Sequence, residues 1–189
     1  MKQNLRLARV VIYKETLVDF KEHFWTFAGA FTGIGLIGFF NSHYLEVSDN
    51  LFLIGSFGAS SVLIYGIINS PLAQPRNLIG GHVICALTGV TIHYIIPTEL
   101  WLAAALAVSF SIVLMQITKT LHPPGGATAL IAIIGSKKIQ SLGYFYVISP
   151  VLSGVIILLL VALFFNNITS HRSYPVNKHW YRVWKRKYL

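Results

Sequence analysis

The sequence predicts an all-α integral membrane protein of about six transmembrane segments, arranged as two inverted three-helix repeats with short or broken helices. Three observations predict it. Of the 189 residues, 54% are hydrophobic and only 11% charged, against roughly 25% charged in a soluble domain, and mean hydropathy is +0.64. The net charge of +9 is gathered at the two ends, leaving Arg76, Lys119, Lys137 and Lys138 as the basic residues between Glu22 and Arg172. A glycine-led run in the second apolar segment also returns in the fifth. This composition excludes an ordinary soluble enzyme, and the placement of charge argues against a nucleic-acid-binding face.

Residues 1–22 form a basic amphipathic segment. Its apolar run Val10–Tyr13 is cut off by Lys14 and Glu15, too short for the core of a signal peptide. Leu5, Val10, Leu17, Val18 and Phe20 recur loosely at helical spacing among basic residues, which predicts a helix lying on the membrane surface. Residues 23–168 form the transmembrane domain. A spanning helix needs about 20 apolar residues, because the hydrocarbon core is about 30 Å thick. Five charge-free intervals qualify: Phe24–Phe40, Leu51–Ile68, Asn77–Ile96, Leu100–Thr118 and Phe145–Phe165. A sixth, Pro123–Gly135, is short and reads either as a thin span or as a re-entrant helix. Residues 169–189 mix Trp180, Tyr181 and Trp184 with Arg182, Lys185, Arg186 and Lys187, the composition of a juxtamembrane anchor.

Two basic ends place both termini in the cytoplasm by the positive-inside rule, which requires an even number of crossings and favours six. The loop Asn41–Asn50 holds Glu46 and Asp49 but no Lys or Arg, as an external loop should; Lys137 and Lys138 are the misfit. Gly58-Ala59-Ser60 in the second segment matches Gly126-Ala127-Thr128 in the fifth. Three spans per copy invert the second copy, and interrupted helices at matching positions of inverted repeats mark the binding site of many transporters.

The run His122-Pro123-Pro124-Gly125-Gly126-Ala127-Thr128 carries the sharpest signal. Two consecutive prolines cannot sit inside a helix but suit its start. A break at His122–Pro124 with a new helix from about Gly125 would aim backbone amides and the positive dipole end at a small anion. Ser56, Gly58 and Ser60 form the matching weak point in segment two, where close packing of small residues is the alternative reading. Arg76 offers a permanent charge and five donors for an oxyanion; the alternative, compatible with it, is a topology-setting charge at a helix end. Lys119 carries the same pair of readings. His122 either takes part in gating or proton transfer or caps the break.

The seven histidines are scattered, and no i, i+4 pair with a glutamate suggests a metal site. His82 and His93 stand about three turns apart on one segment, too far to share an ion. Cys85 is the one cysteine, which excludes a disulfide framework. The six carboxylates are placed in tails or loops, so no acid–base pair for catalysis is expected within the membrane. The protein is therefore expected to be no enzyme, and to need neither metal nor cofactor.

The runs GSFGASSVLIYG (55–66), SPLAQPRNLIGGH (70–82) and LHPPGGATAL (121–130) resemble, in order, the three signatures of the HPP family of integral membrane proteins, over about residues 20–168. The resemblance implies an anion carrier. Similar members in plastids and cyanobacteria are linked to nitrite transport, so nitrite is the implied substrate, with a bacterial inner membrane as the expected location. Some relatives carry extra soluble regulatory domains, and regulation by a fused domain is not expected here. The resulting expectation is a multi-pass transporter of a small monovalent oxyanion that contacts lipid and no nucleic acid, with a homo-oligomer compatible with its glycine-rich faces. The alternative is a non-transporting membrane scaffold or sensor.

Overall fold

The computed structural model describes residues 20–44 and 55–176, and these are helical with short connections. The expected surface helix and aromatic tail fall largely outside the described residues. Helix α1 (Phe20–Tyr44) is followed by α2 (residues 55–61), which runs on into a π-helical turn, Val62–Gly66. A 3-10 turn, Pro71–Ala73, leads into α3 (Pro75–Ile95), then come α4 (Leu100–Thr118), α5 (Pro124–Ile134) and the short α6 (Lys137–Ser141). A second π-helical stretch, Val147–Leu152, is kinked at Ser149 (φ −136°, ψ 123°) and continues into α7 (Ser153–Phe165).

Four helical stretches among the described residues are long and apolar enough to cross a membrane: Glu22–Phe40, Pro75–Ile95, Leu100–Thr118 and Val147–Phe165. Helix α5 has 11 residues, about 16 Å at 1.5 Å per residue, roughly half a hydrocarbon core. The expected boundaries of α3, α4, α5 and α7 with the stretch leading into it hold within a few residues because proline and backbone geometry punctuate the chain, whereas the expected second span, Leu51–Ile68, is helical among the described residues only over 55–66 and is not one of the four span-length stretches. Pro75 and Pro124 open α3 and α5, where their missing amides cost nothing. Helix α4 ends at Lys119 in the left-handed region (φ 57°). Helix α1 extends further than expected, from Phe20 to Tyr44, so its end takes in part of the supposed loop. Glu22 likewise sits in the first turn of α1 and not in a tail.

Close backbone approach positions α3 against α5. A Cβ on Gly89 would lie 2.6 Å from the Ala129 carbonyl oxygen and 2.9 Å from the Ala132 Cβ, and one on Gly125 would lie 2.8 Å from Cys85 Sγ. Small residues on successive turns of α3 thus let α5 lie alongside it, the packing that apolar helices use when lipid offers no hydrophobic drive. Across the molecule, the Tyr65 ring fills the space left by Gly29 and Gly33 of α1, and its hydroxyl donates to the Leu158 carbonyl of α7 at 3.0 Å.

The π-helical end of α2 leaves carbonyls without helical partners, and the segment after α7 supplies them. Arg172 is buried and donates to the Tyr65 carbonyl at 2.7 Å and to Asn166 Oδ1 at 2.9 Å. Asn166 Nδ2 donates to the Ile64 carbonyl at 2.7 Å. Arg172 also pairs with Glu22 Oε2 at 3.2 Å, joining the start of α1 to the chain beyond α7. Burial moves the guanidinium pKa down from its ordinary value, and the Glu22 carboxylate opposes that shift. Exposed Phe27, Phe31, Trp101, Ile117, Leu160 and Phe164 form an apolar exterior suited to lipid.

Candidate functional site

Polar side chains that are fully buried in an apolar bundle are the natural place to look for function, because each must find a partner or be strongly disfavoured. Ser60, His82, His122 and Thr128 are all at most 1% exposed, and they form one cluster. Ser60 Oγ lies 2.8 Å from His82 Nε2 and 2.9 Å from His122 Nε2. Thr128 Oγ1 lies 2.7 Å from His82 Nδ1. His122 Nδ1 lies 2.8 Å from the Leu72 carbonyl oxygen. The two imidazole centroids are 5.0 Å apart, and the Phe57 ring lies 5.6 Å from that of His82.

Each member arrives from a different element. Helix α2 brings Ser60 and α3 brings His82. The break between α4 and α5 brings His122, and the second turn of α5 brings Thr128. A Cβ at Gly81 would stand 2.5 Å from His122 Cβ, so the glycine beside His82 is what admits the second histidine. Tyr146 Oη donates to the Thr128 carbonyl at 3.0 Å.

The partners fix the tautomers of the neutral cluster. A carbonyl only accepts, so His122 Nδ1 carries the hydrogen and Nε2 is the acceptor for the Ser60 hydroxyl. Ser60 then accepts from His82 Nε2–H, and His82 Nδ1 accepts from the Thr128 hydroxyl. The result is one directed chain in which Thr128 donates to His82, His82 to Ser60, Ser60 to His122 and His122 to Leu72, with each side-chain group satisfied. A second acceptor stands beside Ser60: the Ser56 carbonyl, 3.1 Å from Oγ.

Of the residues expected at the site, His122 and Ser60 meet directly, Thr128 joins them through His82, and Ser56 contributes its backbone carbonyl. Pro123 begins the break and is exposed, Pro124 is buried, and Gly125 is buried in the α3–α5 contact. The Gly125 and Gly126 amides, expected to be open to an anion, donate to the His122 and Pro123 carbonyls at 2.9 and 3.0 Å. Gly126 and Ala127 are half-buried, and a Cβ at Gly126 or Gly58 would meet nothing within 4 Å. Arg76 is not brought to the cluster; it is exposed and donates to the Thr118 carbonyl at 2.8 Å, closing the end of α4.

His82 is the member that the sequence reading did not select. The available signal was an ionisable residue inside a charge-free span, flanked by Gly80 and Gly81. Its partner is His122 on another element, not His93 on its own helix. No group of three or more His, Cys, Asp or Glu side chains suited to a metal occurs among the described residues.

A cavity of about 540 Å³ is lined among others by Ile37, Phe57, Phe145, Ser149, Pro150 and Gly154, and by none of the cluster's own side chains. Phe57 belongs to both places, lining the cavity while packing near His82. Ser149, the kinked residue, and Ser153 are the polar side chains in a mostly apolar lining.

The family model for the HPP transmembrane region matches residues 15–175. The chain belongs to the HPP transmembrane family. All members of the buried cluster lie inside the matched HPP region. Two proteins of Dictyostelium discoideum, each described as a transmembrane protein, are 47% and 42% identical over 163 and 161 residues. The alignments cover 84% of this chain in both cases, and 56% and 51% of the relatives, so the chain spans about half the length of the curated relatives it matches. No solved structure matches this HPP chain. Family membership and the span-length helices together make it a multi-pass membrane protein.

Proposed function

We propose that this protein is a membrane transporter for a small monovalent oxyanion, with nitrite the first candidate, and that the Ser60–His82–His122–Thr128 cluster is its polar site. The observation that carries the reading is the burial of two hydrogen-bonded imidazoles where broken helices meet inside an apolar bundle. Intramembrane ionisable groups are costly, and where they occur they commonly serve a pathway. The cavity beside Phe57 is the approach route in this reading, and no catalytic step, metal or cofactor is involved.

In the same reading α2 and α5 count as the third pair of crossings, giving six segments in two inverted repeats with both termini on the cytoplasmic side. Ser60 and Thr128 are then equivalent positions of the repeats, and their contacts with one imidazole support that view. Arg76 and Lys119, at the ends of α3 and α4, draw anions to the surface without holding them in the cluster. One observation favours the alternative scaffold reading: the cluster is internally complete, as a purely structural polar core would also be.

The deciding experiment is nitrite uptake by proteoliposomes of the purified chain at alkaline pH, where leakage of nitrous acid through lipid is smallest. Uptake above empty liposomes that is lost in His122→Ala and in Gly126→Leu, with both variants inserted and folded, supports transport. Uptake equal to that of empty liposomes favours the scaffold.

A further inference from the structure

We propose that His122 takes up a proton when the anion binds, with the Ser60 hydroxyl as the switch, so that each monovalent oxyanion is carried with one proton. The inference rests on the transport reading above and specifies the coupling at the same site.

Ser60 has one hydroxyl hydrogen and two places to send it. With His122 neutral, that hydrogen is needed at His122 Nε2, 2.9 Å away. With a proton added to Nε2, the imidazolium donates on both sides, to the Leu72 carbonyl and to Ser60 Oγ. The Ser60 hydrogen then turns to the Ser56 carbonyl at 3.1 Å, already in place one helical turn back. His82 still donates to Ser60 Oγ from Nε2 and accepts from Thr128, so its bonds do not change. The same atoms therefore satisfy two protonation states with one hydroxyl rotation. No covalent bond of Ser60 breaks; the added proton bonds to His122 Nε2 and returns to water when the anion leaves.

Among the described residues, no ion pair involves the cluster. The titratable groups facing the cluster are the two histidines, Tyr146 on the approach to the α7 kink, and Cys85 on α3, whose sulfur faces Met115 and Gly125. The ion pair of Arg172 with Glu22 serves another part of the bundle. A buried imidazolium without a counter-ion is strongly disfavoured, and so is a buried anion without a cation. Together they are neutral, so binding of either favours binding of the other by the same factor.

The test uses the full chain in lipid nanodiscs, labelled with 15N at histidine, with nitrite as the probe. At fixed alkaline pH, adding nitrite is expected to convert one imidazole signal to imidazolium, a change missing in His122→Asn. Nitrite affinity is expected to rise about tenfold for each unit the pH is lowered. Ser60→Ala keeps both imidazoles and serves if His122→Asn fails to fold; it is expected to flatten that pH dependence. Nitrite binding with no change in histidine charge, or with pH-independent affinity, overturns the proposal even if flux is observed. Proton-linked binding without flux in proteoliposomes overturns transport and leaves the linkage standing. Absence of nitrite binding by the folded protein overturns both.

Discussion

Ser60 and Thr128, at matching positions of two glycine-led runs far apart in the chain, hold opposite nitrogens of one imidazole. Their hydroxyl oxygens lie 2.8 Å from His82 Nε2 and 2.7 Å from His82 Nδ1. The ring is thereby held in one orientation with α2, α3 and α5 joined around it, while its tautomer follows from the Leu72 carbonyl at the far end of the hydrogen-bond chain. That arrangement sets what substitutions should do.

Ser60→Ala removes the bridge between the two histidines. His82 loses an acceptor and His122 a donor, both in a site closed to water. Each orphaned buried group costs about 1–3 kcal/mol. The variant should unfold at clearly lower temperature in detergent than wild type, and an unchanged melting temperature would mean that Ser60 does not bridge the two imidazoles.

Gly125 and Gly126 are adjacent but should respond in opposite ways. A methyl at Gly125 meets Cys85 Sγ at 2.8 Å and the Gly81 carbonyl oxygen at 3.0 Å, whereas at Gly126 it meets open space. Gly125→Ala should cost about 1–3 kcal/mol through overpacking, and Gly126→Ala should change stability by less than about 0.5 kcal/mol. Thermal unfolding of the pair, measured side by side, checks the ordering; equal effects would contradict the α3–α5 contact.

Arg172→Ala strips partners from the Tyr65 carbonyl and Asn166, and leaves Glu22 without its cation. Loss on the order of 2–4 kcal/mol is expected. Glu22→Gln should cost much less, because its side chain is 27% exposed and water replaces the lost attraction. Comparable losses in the two variants, read from the same melting curves, would show that the ion pair and not the carbonyl bonds holds this junction.

Arg76→Gln separates surface attraction from substrate holding. Since Arg76 is exposed and engaged with the Thr118 carbonyl, the variant should retain nitrite uptake within about twofold at physiological ionic strength, where exposed charges are screened beyond about 8 Å. A tenfold or greater loss of uptake at intact stability would place Arg76 in the binding path.

Much of the cluster was legible from local chemistry. Two prolines predict a break at His122–Pro124 with a helix from about Gly125, and α5 opens one residue earlier at Pro124; α4 has the expected bounds, Leu100–Thr118. The glycine-led runs pointed to Ser60 and Thr128. The same runs did not reveal that the Gly125 and Gly126 amides are taken by the turn that precedes α5. A proline pair tells where a helix begins, while the path of the chain just before it decides which amides stay open.

The sequence by itself determined that this is a membrane protein of apolar helices, where most of them begin and end, and which short runs break them. These are local properties, set by the length of an apolar run, the missing amide of proline and the cost of burying charge. Only the tertiary structure decided that His82 faces His122 and not His93, that Arg172 answers Glu22, and that Arg76 serves a helix end. Helices apolar on nearly every side carry no stripe to say which faces meet. The approach of His122 to α3 follows from the shapes of small residues at Gly81, Gly89 and Gly125, and shape complementarity between distant segments exists only once the chain has packed.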